Sequence, residues 1–410
     1  MRKLQPVSNV TSFAEAKEKV GMLGLLSVLL MVPFTLSNCF VGPGLALVIN
    51  EFGPNAKLVI TIPSLLSVLF SVIGGWMMQK MSVRKVFLIA GVFNILGGLM
   101  PVVFNANVGW ILASRVVYGI GFGLAFPCAA TLTNAVFAGE FKDKFLGIST
   151  FFTMAVAFIF GWMSAWLMNF GWKGLFAGYL IFVPMMVLAA FAMPNNTPIS
   201  VPKEEKAAKK GGIFSGLNAL AIYVLIGTVI YNIAIMSTST NLSDIMMNEE
   251  HLPGTASAAA ANVGLVGQMI IGLLFANFRK LFKNFMPVVS MFVIGLGCVV
   301  LVFSHSTWMF CLGQLLTGAG FGLFNPTMTI ICNDVVAPEG RANMMGLYSS
   351  ATGIGQFLTT YGLAALCTIF ALSDNSRGPW ITGGFLIVAL AVVTLFVVLG
   401  VQKKKGAKTA

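Results

Sequence analysis

The stretch Tyr118-Gly-Ile-Gly-Phe-Gly-Leu-Ala-Phe-Pro127 returns 199 residues later as Thr317-Gly-Ala-Gly-Phe-Gly-Leu-Phe-Asn-Pro326. The same offset pairs Asn134 with Asn333, Glu140 with Glu339, Lys142 with Arg341 and Gly147 with Gly346, giving 11 identities over the 36 positions from 115 to 150. It also pairs Lys80 with Arg279 and Arg84 with Lys283. Ungapped similarity at one offset is hard to obtain from apolar composition alone, so the chain reads as a duplication with parallel repeats.

The solvent that this duplicated chain expects is lipid. Of its 410 residues 57% are hydrophobic and only 9% charged, and the mean hydropathy is +0.90, far outside the soluble range. Apolar runs of about 20 residues, long enough at ~1.5 Å per residue to cross a hydrocarbon core roughly 30 Å thick, recur from end to end. Polar breaks predict twelve spans, at 21 to 48, 55 to 79, 85 to 104, 108 to 137, 145 to 169, 172 to 193, 214 to 240, 255 to 278, 285 to 304, 307 to 334, 342 to 370 and 379 to 401. The fold class is therefore an all-α membrane protein of twelve transmembrane helices in two pseudo-symmetric six-helix bundles, 21–193 and 214–401. A cytoplasmic segment at 1–20, a linker at 194–213 and a basic tail at 402–410 complete it.

Charge sets the expected topology. With the N-terminus in the cytoplasm, 21 of the 25 Lys and Arg residues fall inside and only Lys57, Lys173 and Arg377 outside, with Arg115 inside a span. That asymmetry places both termini in the cytoplasm of a multi-pass inner-membrane protein. The net charge of +12 is explained by the same rule and calls for no nucleic acid. The first apolar run is too long for a signal-peptide core, so no cleaved signal is expected. Ser12 and Glu15 have capping-box spacing, which fits a short surface helix over 12–20, and a solvated tail fits equally well. The six cysteines all lie in apolar runs without a CxxC pair, indicating neither disulfides nor a metal site.

Arg115 is the only charge well inside a span, where translocon scales put the cost at roughly 2.5 to 3.5 kcal/mol. Arg115, Gly119 and Gly123 follow at steps of four, so one helix face carries a guanidinium beside a small-residue track open to close approach. The run Gly119, Gly121, Gly123 and its copy Gly318, Gly320, Gly322 reads as helix packing, because no strand precedes it and no Lys-Ser/Thr follows. The repeat mate of Arg115 is Gln314, so the halves differ where chemistry is concentrated. A purely structural, hydrogen-bonding arginine is the competing reading.

These features resemble the major facilitator superfamily over nearly the whole chain. Ile111-Leu-Ala-Ser-Arg115-Val-Val-Tyr-Gly119-Ile-Gly121 is similar to its l-x-x-x-R-x-x-x-G-x-G motif. Gly75-Trp-Met-Met-Gln-Lys-Met-Ser-Val-Arg-Lys85 is similar to its G-x-L-x-D-R-x-G-R-R/K signature, with Gln79 in place of the aspartate and Ser82 in place of the second glycine. The resemblance implies a cytoplasmic gate at Gly75, Lys80, Arg84 and Lys85. It also implies a central cavity surrounded by helices one, four, seven and ten, for which Asn38, Arg115, Tyr118, Asn232, Gln314, Asn325 and Gln356 are the candidate lining residues. The Gly-Pro motif that many antiporters of the family carry in span five has no counterpart in Thr150 to Leu167.

No carboxylate falls mid-membrane. Asp334, at the inner end of span ten, is the candidate for coupling to a proton or sodium ion, unless the substrate carries the proton or the protein exchanges solutes. No P-loop and no buried Ser/His, Asp/Asp or His/Glu constellation is present, so the chain does not read as an enzyme, and no cofactor is implied. It reads as a secondary transporter, expected as a monomer, of a small organic solute, with an organic anion favoured by the unpaired arginine. An efflux pump of the same fold and a transport-inactive membrane sensor are the alternatives.

Overall fold

The structure, a computed structural model, describes residues 10–194, 217–336 and 341–409. The linker expected at 194–213 lies outside the described residues from 195 onward, as do residues 1–9 and Ala410. The chain divides into two compact units, Met1–Lys203 and Glu204–Ala410.

The first unit runs through α1 (Phe13–Lys19), α2 (Met22–Leu29), α3 (Leu45–Phe52), α4 (Leu58–Lys80), α5 (Val83–Val103), α6 (Val108–Ala125), α7 (Cys128–Val136), α8 (Gly139–Leu167), α9 (Gly171–Ala177) and α10 (Phe182–Ala192). The second contains α11 (Ala219–Thr240), α12 (Gly254–Phe282), α13 (Met286–Val302), α14 (Thr307–Asp334), α15 (Arg341–Ile369) and α16 (Gly378–Thr409). No strand occurs among the described residues; a single bridge joins Val10 to Phe137.

Helices are the expected solution, because a segment in lipid must satisfy its backbone polar groups internally. Among the described residues nine segments are long and apolar enough to cross a membrane, or ten if the pair Phe13–Lys19 and Met22–Thr35, bent by 101°, forms one span. Two features separate that number from twelve. Ala155–Ala192 is one continuous apolar stretch of 38 residues that takes in both the fifth and the sixth expected span. The helix Arg341–Ile369 is not apolar enough to qualify, because Ser349, Ser350, Thr352, Gln356, Thr359 and Thr360 dilute it.

The surface of the units follows from the same solvent. Large apolar side chains stand outward, with Val103 74% and Leu273 77% exposed, whereas polar side chains such as Asn94, Thr228, Ser237 and Gln314 are buried. The first unit closes on packed aromatic rings: Phe40 stacks on Phe160 with ring centres 4.4 Å apart, and Phe34 lies tilted against Phe182 at 4.7 Å. In the second, the fully buried Trp380 donates its indole N–H to the Ser237 carbonyl at 3.0 Å.

At the N-terminal end the short helix forms with Ser12 as its N-cap, but Glu15 reaches the amide of Thr11 rather than that of Ser12, so only half of the capping box is made. Ser12 accepts from the Glu15 amide at 3.2 Å, and the Glu15 carboxylate accepts from the Thr11 amide and the Lys19 ammonium. The hydrogen bond from Lys19, then those from Thr11, hold the Glu15 carboxyl at about 2, well below the usual carboxylate range.

Three expected spans are not continuous α-helices, and the fourth simply breaks at Phe126-Pro127 between α6 and α7. The first passes from α2 through three 3-10 turns, Val32–Thr35, Ser37–Phe40 and Gly42–Gly44, before α3 resumes. Pro33 and Pro43 lack the amide an α-helix needs, and Gly42 and Gly44 are weak helix formers, which accounts for the break. The sixth is interrupted by a 3-10 turn at Gly178–Ile181. The breaks in the first and sixth supply Asn38 and Tyr179, the two side chains that hydrogen-bond Arg115.

Candidate functional site

Arg115 sits on the third turn of α6, fully buried. Its Nε–H donates to the Val59 carbonyl of α4 at 3.1 Å, and Nη2 donates to Asn38 Oδ1 at 2.9 Å and to the Tyr179 hydroxyl at 3.0 Å. The guanidinium carbon lies 3.9 Å from the centre of the Tyr118 ring, with Tyr179 and Phe176 at 5.5 and 5.8 Å. Tyr118 is anchored by a 2.5 Å hydrogen bond between its hydroxyl and Ser37. One nitrogen, Nη1, has no hydrogen-bond partner among the described residues.

The site can therefore hold a positive charge out of water with neutral groups only. Tyrosine faces stabilise a cation through the ring quadrupole, by about 2 kcal/mol or more when water is excluded. Two hydroxyl or amide oxygens and one carbonyl take three of the five guanidinium N–H groups. None of these partners carries a compensating negative charge. Two N–H donors remain for an anion.

Sequence reasoning brings Arg115, Asn38 and Tyr118 into one site but misses Tyr179, Phe176 and Ser37. The available signal was the scarcity of tyrosine, six in the chain: a Tyr in mid-span usually needs a partner for its hydroxyl. The open track beside Arg115 is filled here. A Cβ on Gly119 would lie 2.7 Å from Leu66 Cδ1, and one on Gly123 would lie 2.9 Å from Ser67 Cα, both on α4; one on Gly121 would lie 2.4 Å from the Asn94 amide on α5. In the second unit Gly318 and Gly322 meet Gly264 and Gln268 of α12, and Gly320 meets Ser290 and Ile294 of α13.

The remaining candidates sit in different settings. Asn232 is buried and donates to the Thr228 carbonyl at 2.8 Å within α11. Gln314, the repeat mate of Arg115, is buried and donates to the Thr238 carbonyl at 3.2 Å, tying α14 to α11. Asn325 and Gln356 are half-buried on α14 and α15. At the gate motif, Arg84 donates through Nη2 to the Ala190 carbonyl in the last turn of α10, a helix C-terminus that favours a cation. Lys80 lies over the Trp76 ring at 3.8 Å, Lys85 is exposed, and a Cβ added at Gly75 would meet nothing within 4 Å. Asp334 is exposed at the last residue of α14. No group of three or more metal-ligating side chains occurs among the described residues.

The family model described as Major Facilitator Superfamily matches residues 24–301 and 224–410. The chain belongs to this superfamily. It is thus a multi-pass membrane transporter of the secondary type rather than an enzyme, as the resemblance implied. The Bacillibactin exporter of Bacillus subtilis (strain 168) is 24% identical over 403 residues, covering 92% of this chain and 95% of that protein. Among solved structures, tetrameric PepTSo2 superposes with a TM-score of 0.70 at 17% identity, covering 94% of this chain and 99% of that one. The nucleoside transporter NupG gives 0.70 at 12% identity, covering 92% and 98%. At such identities these structures are similar to this superfamily member in fold.

Proposed function

We propose that this transporter exports a small organic anion by alternating access, with Arg115 supplying the charge that recognises it. The single observation behind this reading is the buried guanidinium of Arg115, which has only neutral partners and two free N–H donors on Nη1. A buried cation without a counter-ion is costly, and an anionic substrate offsets that cost when it arrives. Because Nε and Nη2 are already engaged, the anion meets Nη1 first, and a two-pronged grip requires Asn38 or Tyr179 to let go. Both stand on 3-10 turns inside interrupted spans, where the backbone is less constrained than in an α-helix. Similarity to an exporter supports the outward direction, and makes bacillibactin the first compound to test. The basic residues at 80–85, 203–210, 279–283 and 403–408 support placing both termini in the cytoplasm.

The experiment is transport into proteoliposomes of bacillibactin and of solute pairs that differ only as carboxylate and amide, under imposed pH, sodium and counter-substrate gradients. The reading expects at least one carboxylate to be carried at least tenfold faster than its amide. Equal transport of every pair, or preference for the amides, contradicts it.

A further inference from the structure

The second unit contains a cavity of about 730 Å³ that has no part in the Arg115 site. It opens at the end of the unit where α11 begins and α12, α14 and α16 reach their polar ends, with Arg279, Lys283 and Asp334 at the mouth. From there it runs between α11, α13, α14 and α16 along Val224, Gly227, Met291, Phe324, Met328 and Leu390.

The two parts of this cavity have opposite chemistry. Arg279 and Lys283 are exposed at the C-terminal end of α12, and neither forms an ion pair with a described residue. Lys283 is held at φ +47°, in the left-handed region that a lysine rarely adopts, a strain of the kind that persists at functional sites. Asp334 contributes one carboxylate, so the mouth keeps a net positive charge. The polar groups along it already have partners: Tyr223 and Thr394 share a hydrogen bond of 2.7 Å, Thr327 donates to the Leu323 carbonyl at 2.7 Å, and Asn218 at the mouth caps α11 while donating to the Val335 carbonyl. No lining residue has a buried polar atom without a partner among the described residues. Such an interior has no buried polar group that requires water, and its largely apolar wall suits hydrocarbon.

Length decides what kind of amphiphile fits. From Asn218 to Gly227 on α11, and from Asp334 to Phe324 on α14, the wall is about 14 to 15 Å deep at ~1.5 Å per residue. That is about half of a hydrocarbon core roughly 30 Å thick, the depth of one leaflet. A phospholipid in that leaflet would place its headgroup at the helix ends and a chain along the wall. Basic pockets between membrane helices bind acidic headgroups. We infer that this cavity is a binding site for an acidic phospholipid, its phosphate on Arg279 and Lys283 and one acyl chain against Phe324, Met328 and Leu390. The inference stands apart from the transported substrate, because every residue it uses lies in the second unit.

Native mass spectrometry and thermal melting of the full-length protein in neutral detergent test it, with phosphatidylglycerol, phosphatidylcholine and inorganic phosphate as probes. Two variants separate the two halves of the site. Arg279→Ala with Lys283→Ala removes the charges. Gly227→Leu fills the apolar part, where an added Cβ meets only Leu390 at 3.6 Å. The wild type should retain one phosphatidylglycerol at least tenfold more tightly than phosphatidylcholine and melt higher with it. The double variant should lose that preference, Gly227→Leu should lose the bound lipid, and phosphate alone should leave the melting point unchanged. Equal retention of the two lipids by the wild type overturns the inference, as does a preference that survives in both variants. Protection by phosphate equal to that by phosphatidylglycerol would show a small-anion site and overturn it as well. If Gly227→Leu does not fold, the double variant alone decides.

Discussion

Arg115 ties together three segments in this geometry and is also the proposed anion contact, and its variants separate the two roles. Lysine keeps the charge but has no planar fork, so it cannot reach Val59, Asn38 and Tyr179 together. Arg115→Lys should therefore lower the melting temperature of the free protein, because acceptors on α4 and on spans one and six lose their donor. If the guanidinium also holds an anion, the same change weakens binding of the carboxylate that proteoliposome transport selects by about 1.5 to 3 kcal/mol, the range for a hydrogen bond to a charged group, or roughly 10- to 150-fold in Kd. Calorimetric binding and melting on the same purified samples give both readouts. A lower melting point with unchanged affinity in the surviving protein marks Arg115 as structural only. That Arg115 would stand apart from its surroundings was legible in the sequence, because it is the only charge in mid-span, and the structure buries it fully. Tyr179 was not, because an aromatic residue within an apolar run reads as core until a polar partner is found.

At the scale of helices, glycine decides which pairs can touch. A methyl on Gly318 would lie 1.9 Å from the Gly264 carbonyl oxygen, backbone against backbone, so α12 and α14 would have to separate. Gly318→Ala should cost about 1 to 3 kcal/mol, the range for overpacking, and appear as lost monodispersity and a lower melting point. Gly75→Ala is the control, since nothing lies within 4 Å of the new Cβ, and it should melt as the wild type does. Equal effects of the two would show that helix propensity rather than close approach governs these sites. The packing role of the glycine run could be read from its four-residue spacing and its repetition. The breaks in spans one and six could be read only in part. Pro33, Gly42, Pro43 and Gly44 mark the first, whereas Gly178–Ile181 itself carries no proline and is marked only by Gly178 and by Pro184, which lacks the amide that would have bonded the Leu180 carbonyl. Arg341–Ile369 shows the converse, a helix that the polar breaks delimit at 342 to 370 although Ser, Thr and Gln side chains dilute its hydropathy.

For the whole chain, duplication, apolar runs and basic loops pointed to the superfamily before any coordinate, because each is a property of sequence order. Substrate was not legible, since it depends on which side chains converge. Orientation is testable directly. Single cysteines placed near Lys206 and after Lys405 should resist a membrane-impermeant maleimide in intact cells, whereas one near Glu250 should be labelled; external labelling at Lys206 would reverse the topology. The central claim is that Arg115 gives this transporter its preference for an anion. Its most direct test is the ratio of carboxylate to amide transport in proteoliposomes containing wild type or Arg115→Gln, which copies Gln314 of the second half. The account predicts a ratio of at least ten in the wild type that falls to near one in Arg115→Gln at equal reconstituted protein, whereas an unchanged ratio in the variant would contradict it.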